Sequence, residues 1–248
     1  PESQPEGEPS ASSTSFGASV PAQCEEGEWS GHGGEDGAED TNFGMGDDMP
    51  LPFSVYEVQQ GQAPQMMRVA LTDVVVTTPA ARSEALAGLE RFVQEQQGGP
   101  YSGIRIHSSA VDLDTAVSVG DTVDIVGSVT PHRGYYMLTI DSSEDLTVTG
   151  TAALPEPIVV AAADLRPEDP AARPYEGVPV RVQMATVTDD DPCDGEFILD
   201  AVVRVDDRFA PNALATPEDG QVFVAVEGVL IYADDSYELA PPDSSSLE

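Results

Sequence analysis

Residues 120–140 alternate apolar and polar side chains in two runs around a turn, and the same pattern returns 101 positions later without a gap. Val123, Ile125, Gly127 and Val129 share one face of a first strand; a turn follows at His132-Arg133-Gly134; Tyr136 and Leu138 alternate back. Adding 101 lays these six positions on Val224, Val226, Gly228, Leu230, Tyr237 and Leu239. An alternation repeated with its glycine and tyrosine in place predicts a duplicated β-hairpin unit. A chain of 248 residues has room for two such units as separate domains.

Composition bears on the rest of the fold. Aromatic residues make up only 6% of the chain, β-branched residues are plentiful, and the turns are rich in Gly, Pro and Asp, which together predict an all-β protein. No apolar run approaches the roughly 18 to 20 residues of a membrane span. The sequence opens on Pro1 with no hydrophobic leader, as a mature or shortened exported chain would.

The formal net charge is −35, with no lysine anywhere. It divides unevenly: 12 acids and no Arg over 1–52 (−12), 12 acids and 5 Arg over 53–154 (12 − 5, or −7), and 21 acids and 5 Arg over 155–248 (21 − 5, or −16). Such a surface disfavours a nucleic-acid backbone or anionic lipid as a general partner and favours cations and cationic surfaces; the alternative is that the charge only confers solubility. Two cysteines, Cys24 and Cys193, lie far apart without CxxC spacing. They argue against structural zinc and fit either one disulfide or two unrelated thiols.

Residues 1–52 read as an acidic Gly/Ser/Pro-rich tail or tether with too little apolar surface to offset the entropy of ordering. A tail of this kind suits an exported domain held at a surface, with a lipid-modified residue ahead of Pro1. The first folded unit is expected over 53–153, the second over 154–242, and 243–248 as a C-terminal tail whose closing Leu247-Glu248 reads as vector residues. In the first unit, Phe53–Val58 is a lead-in, Met67–Thr77 strand one, Arg91–Gln96 strand two and Gly103–His107 strand three. The repeated hairpin supplies strands four and five, and Pro79–Leu89 has a helical flavour. In the second, Pro179–Thr188, Glu196–Asp200 and Ala201–Val205 match strands one to three. Arg181, Val182, Met184 and Val187 align to Arg68, Val69, Leu71 and Val74, and Phe197 to Phe92.

The order Val-Tyr-Glu-Val-Gln59, Val-Val-Val-Thr77, Phe-Val-Gln94-Glu, Gly-Ile-Arg-Ile106 and Val-Gly-Asp121-Thr-Val-Asp-Ile-Val-Gly-Ser-Val resembles the OB-fold modules that accompany secreted bacterial nucleases of the endonuclease/exonuclease/phosphatase type. The resemblance covers roughly 54–148 and, more faintly, the second unit. It implies two tandem five-stranded OB-like barrels, with a short helix in the first. The nuclease domain itself is absent from this sequence, so the resemblance lends fold and not activity.

OB barrels bind on the face of strands two and three, between the loops after strands one and four. Around that face the first barrel carries Arg82, Arg91, Tyr101, Arg105, His107, His132, Arg133 and Tyr135, an interleaving of cationic and aromatic groups suited to single-stranded nucleic acid or a glycan. Core tyrosine and ordinary turn residues are the other reading. The second barrel's loops carry Asp189, Asp190, Asp191, Asp194 and Glu196, then Asp234 and Asp235. If these loops meet, their carboxylates suit calcium, although neither matches an EF-hand; solvated acidic turns are the alternative. No Gly-x-Ser-x-Gly, HExxH or phosphate-cradling Gly-rich motif occurs. The expectation is a non-enzymatic, exported binding or scaffolding protein, calcium-stabilised, with a protein or cell-surface partner. The alternative is an accessory module that binds nucleic acid or glycan through barrel 1.

Overall fold

The computed structural model describes residues 49–83, 86–132, 135–166, 170–192, 195–211, 213–214, 216–233 and 236–248. The chain enters through β1 (Leu51–Pro52) and a short helix, α1 (Val55–Gln59), before β2 (Arg68–Val76). A capping box starts α1: the Glu57 N–H donates to Ser54 Oγ at 3.3 Å and the Ser54 N–H to Glu57 Oε2 at 2.8 Å. Helix therefore stands where a lead-in was expected.

Then come β3 (Ala81–Arg82), β4 (Leu89–Gln94), β5 (Gly103–Ser108), α2 (Leu113–Ala116), β6 (Asp121–His132), β7 (Tyr135–Thr139) and β8 (Leu146–Thr151). The expected helix over 79–89 is replaced in part by β3, whose Ala81 and Arg82 pair with Glu90 and Leu89. Leu86 is exposed, so the Leu86–Leu89 spacing builds no buried helical face.

The second half runs β9 (Ile158–Val160), β10 (Pro179–Asp189), β11 (Phe197–Leu199), β12 (Val203–Val205), β13 (Val222–Ala233) and β14 (Ser236–Ala240). Neighbouring strands in the first half follow β2-β4-β5-β7-β6 and close back onto β2, with β5 and β7 parallel. The second half follows β10-β11-β12-β14-β13 and closes onto β10, with β12 and β14 parallel. Each half is thus a closed five-stranded barrel whose third and fifth strands run side by side. This is the OB arrangement, and the chain is all-β with few helical turns.

Toward its turn the hairpin repeat is kept to the residue. Val129 faces Leu138 and Leu230 faces Leu239; Pro131 faces Tyr136 and Tyr232 faces Tyr237. The shared glycine has a steric reason. A Cβ on Gly127 would lie 3.0 Å from the Thr139 carbonyl oxygen, and one on Gly228 would lie 2.7 Å from the Ala240 carbonyl carbon.

Three matches shift. Val69 faces Gly127 and Val180 faces Gly228, so the true offset on strand one is 180 − 69, or 111, two residues from the expected alignment. A two-residue slide keeps the face and so leaves the alternation unchanged. Val224 is exposed although Val123 is buried, because Phe223 turns inward in its place. Phe197 lies in the second barrel's core, whereas Phe92 points out of the first.

Val69, Leu71, Ile104, Ile106, Ile125 and Leu138 lie in the first core; Val180, Val182, Phe197, Val205, Leu230 and Leu239 lie in the second. A third apolar cluster joins the halves: Ala81 and Phe92 from the first, Phe209, Val229, Ile231 and Ala240 from the second.

Candidate functional site

The register of β4 on β5 sets which side chains share the outer face where OB barrels bind. Phe92 faces Arg105, Glu90 faces His107 and Gln94 faces Gly103. All six are buried, and what covers them is the rest of the chain.

Arg208, from the segment after β12, donates through Nε to Glu90 Oε1 at 2.9 Å, with its Nη2 at 2.7 Å from the same oxygen. Arg105 Nη1 lies 3.5 Å from Glu90 Oε2, and its guanidinium sits 5.3 Å from the Phe92 ring centroid. Phe209 meets Phe92 edge-on at 6.1 Å between centroids. Lower on the same seam the two backbones touch. A Cβ on Gly103 would collide with the Gly177 carbonyl, and the Tyr101 N–H donates to the Pro174 carbonyl at 2.5 Å.

Electrostatics at the seam are set by these contacts. Burial pushes the Glu90 carboxyl up, but the Arg105 and Arg208 charges outweigh it and hold the group below its ordinary range. Glu176, only 6% exposed, is pushed up to about 8 by burial, against the pull of Arg105 and Arg173. Its Oε2 has no hydrogen-bond partner, and neither has Arg105 Nη2. The Tyr135 and Tyr237 hydroxyls hydrogen-bond across the halves, and burial raises both phenols. The Tyr232 ring lies 5.0 Å from that of Tyr135, tilted by 51°, with the Arg173 guanidinium over the Tyr135 ring at 5.5 Å.

Of the residues expected to bind a ligand, Arg105 is therefore inside the seam, and His107 is buried with Nε2 3.0 Å from the Ala87 carbonyl oxygen of its own barrel. Arg91 is buried toward α2, donating to the Thr78 and Asp114 carbonyls at 3.0 and 3.4 Å. Tyr101 and Tyr135 are half-buried at the seam, His132 is half-buried near the end of β6, and Arg82 is exposed on β3. Arg133 lies outside the described residues. Tyr101, Arg105 and Tyr135, from the set read as a ligand surface, belong to an internal contact between the halves. Sequence reasoning missed Glu90, Glu176 and Arg208. For Glu90 the signal was a charge on the outward face of a strand otherwise apolar enough to be covered; Glu176 and Arg208, outside the strands, carried none.

In the second barrel Asp190 Oδ2 accepts from the Asp219 N–H at 3.2 Å, just before β13 begins. Asp189 accepts from the Asp191 N–H at 3.3 Å, and Glu196 pairs with Arg204 at 3.0 Å. Among the described residues no group of three or more His, Cys, Asp or Glu side chains is placed to hold a metal ion. Asp194, Asp234, Asp235, Cys24 and Cys193 lie outside the described residues.

A cleft of about 220 Å³ opens at the join, lined by Leu154, Pro155, Pro157, Pro179 and Pro242 among others. It is smaller than the cavities that take drug-sized ligands.

No protein-family description and no curated protein matches the chain. Among solved structures, the second OB-fold domain of replication protein A from Methanococcus maripaludis is similar at 14% identity and a TM-score of 0.28, over 42% of this chain and 99% of that one. The Ifi202 HINa domain in complex with 20-base-pair double-stranded DNA is similar at 14% identity and 0.33, over 71% and 92%. A murine DNA binding protein bound with double-stranded DNA is similar at 11% identity and 0.28, over 72% and 96%. At these scores the likeness carries no functional argument, and the OB assignment stands on the strand order.

Proposed function

We propose that the protein is a non-enzymatic binding or scaffolding module, in which two OB barrels form one rigid body and partners are met on outer surfaces, not in the strand-two and strand-three groove of barrel 1. The observation that carries this reading is the burial of Glu90, Phe92 and Arg105 beneath Arg208 and Phe209. A groove filled by the protein's own second half has no room for a base or sugar to stack. Several of the arginines that phosphate contacts would draw on are also engaged. Arg68 pairs with Asp145, Arg181 with Glu227 and Glu248, and Arg204 with Glu196. Work outside the cytoplasm is part of the same proposal, supported by the tether-like composition of 1–52. Calcium has no part in it, because the described acids around Asp190 are bonded locally.

Titration with a fluorescent oligothymidylate and with neutral oligosaccharides at pH 7 tests the proposal. The wild-type chain should show no saturable binding, at low or high salt. Saturable binding that weakens steeply with salt would instead establish barrel 1 as a nucleic-acid surface.

A further inference from the structure

The cleft at the join is built from both barrels and from the segment that links them. Pro155 and Pro157 come from that segment, Pro179 opens β10 and Pro242 follows β14; Val229 of β13 and Thr77, just past β2, are its buried lining. Ser246 lines it too, from the helical turn Ser244–Ser246, and Leu247 next to it bridges to Val226. Residues 243–248, expected as a tail, are therefore part of the fold.

The linking segment is fixed at both ends. The Ala152 N–H donates to the Gly120 carbonyl at 2.9 Å, and Ile158 pairs with Val180. Between them Pro155 packs over the turn at Gly98. A Cβ on Gly98 would lie 3.2 Å from the Pro155 Cβ, and the Gly98 carbonyl accepts from the Tyr56 hydroxyl at 2.6 Å. Proline has no N–H and almost no side-chain entropy to lose, so walls of this kind cost little freedom when a ligand arrives and offer water few hydrogen bonds. Leu154, 45% exposed, extends the apolar surface to the mouth of the cleft.

Charge and shape say what fills it. Glu156 and Glu227 are its charged lining residues. Glu227 is paired with Arg181, which Glu248 shares, so carboxylates outnumber the cation there; Glu156 is exposed and takes part in no ion pair among the described residues. In a chain with a net charge of −35 the complement is a cationic group. Aromatic grooves hold proline-rich peptides through ring-on-ring contact; here the prolines line the groove, so the aromatic ring is left to the ligand. A volume of about 220 Å³ suits a single ring and not a drug-sized molecule. A second copy is a poor occupant, since Arg91-Phe92 and Arg208-Phe209, which join a basic residue to an aromatic one, are both buried.

We propose that this cleft is an interaction surface for a partner protein, which inserts one aromatic side chain between the prolines and sets an adjacent arginine or lysine against Glu156. This rests on the scaffold reading and gives it a docking point. The oligonucleotide titration reads a different face, so either can fail without the other.

The probe is the blocked dipeptide acetyl-Phe-Arg-amide, titrated into the isotopically labelled full chain and followed by the backbone amide shifts of Leu154, Glu227, Gly228 and Val229. Saturable shifts centred on these residues are expected, with affinity weakened roughly fivefold or more when glutamate replaces the arginine and lost when alanine replaces the phenylalanine. Glu156→Arg should reverse the preference between the two charged dipeptides and leave the melting temperature unchanged, because the side chain is exposed and makes no ion pair. The proposal is overturned if the shifts do not saturate, or if Glu156→Arg keeps the preference for arginine. It is also overturned if acetyl-Ala-Arg-amide binds as well as the phenylalanine probe, which would leave only a general attraction to an acidic surface. Phenethylammonium that saturates the same amides more tightly than the dipeptide would overturn it as well, assigning the cleft to a small organic cation.

Discussion

Glu90 and Glu176 are both buried at the seam, but Glu90 is held between two arginines while an oxygen of Glu176 has no partner, and this difference decides how each answers pH. The Glu90 pKa is depressed, so its contribution to stability is present above the ordinary value of 4.5 and is lost as pH falls through the folded value. Glu176 is raised from 4.5 to about 8, so the fold favours its protonated form. Its contribution is complete below 4.5 and is lost as pH rises through about 8, at no more than about 1.4 kcal/mol per pH unit. Melting temperature should therefore decline between pH 5 and pH 8.5, and Glu176→Gln should flatten that decline. An unchanged slope in the variant would place the titrating group elsewhere. None of this is legible in the sequence. Glu176 comes after Arg-Pro-Tyr in an ordinary linker, and burial, unlike alternation, leaves no local pattern in sequence.

At the level of elements, the hairpin is readable because alternation and register are the same fact: a strand with one buried face repeats every second residue, and the 101-residue offset reproduces the pairings. Strands one and two are readable in kind but not in alignment. Phe92 and Phe197 both sit in short apolar runs, yet one faces the neighbouring barrel and the other its own core, a difference set by what packs outside. The helix is misplaced when Pro79 and two leucines outweigh Ser54-x-x-Glu57, the actual start signal. The recurring glycine gives the sharpest element-level prediction. Gly228→Ala drives a methyl group against the Ala240 backbone and should destabilise the chain by about 1–3 kcal/mol in urea unfolding. Gly220→Ala, where no neighbour lies within 4 Å but φ is +81°, provides the comparison for backbone strain without the clash.

For the whole molecule, the two barrels share an apolar cluster, a buried Glu–Arg network and a glycine-to-glycine backbone contact, so relative motion would expose charge and apolar surface together. Domains in one chain commonly move against each other unless the interface is large and apolar. Here buried ions strengthen the coupling, because separating Arg208 from Glu90 leaves each partly desolvated and unpaired. The fold class is legible from composition and repeat; the docking of one half on the other is not, since it depends on the outward faces of β4 and β5. The most direct test is residual dipolar couplings of backbone amides, fitted separately for 53–153 and 154–242. The account predicts one alignment tensor, identical in magnitude and orientation for both barrels at pH 7; two distinct tensors would contradict it.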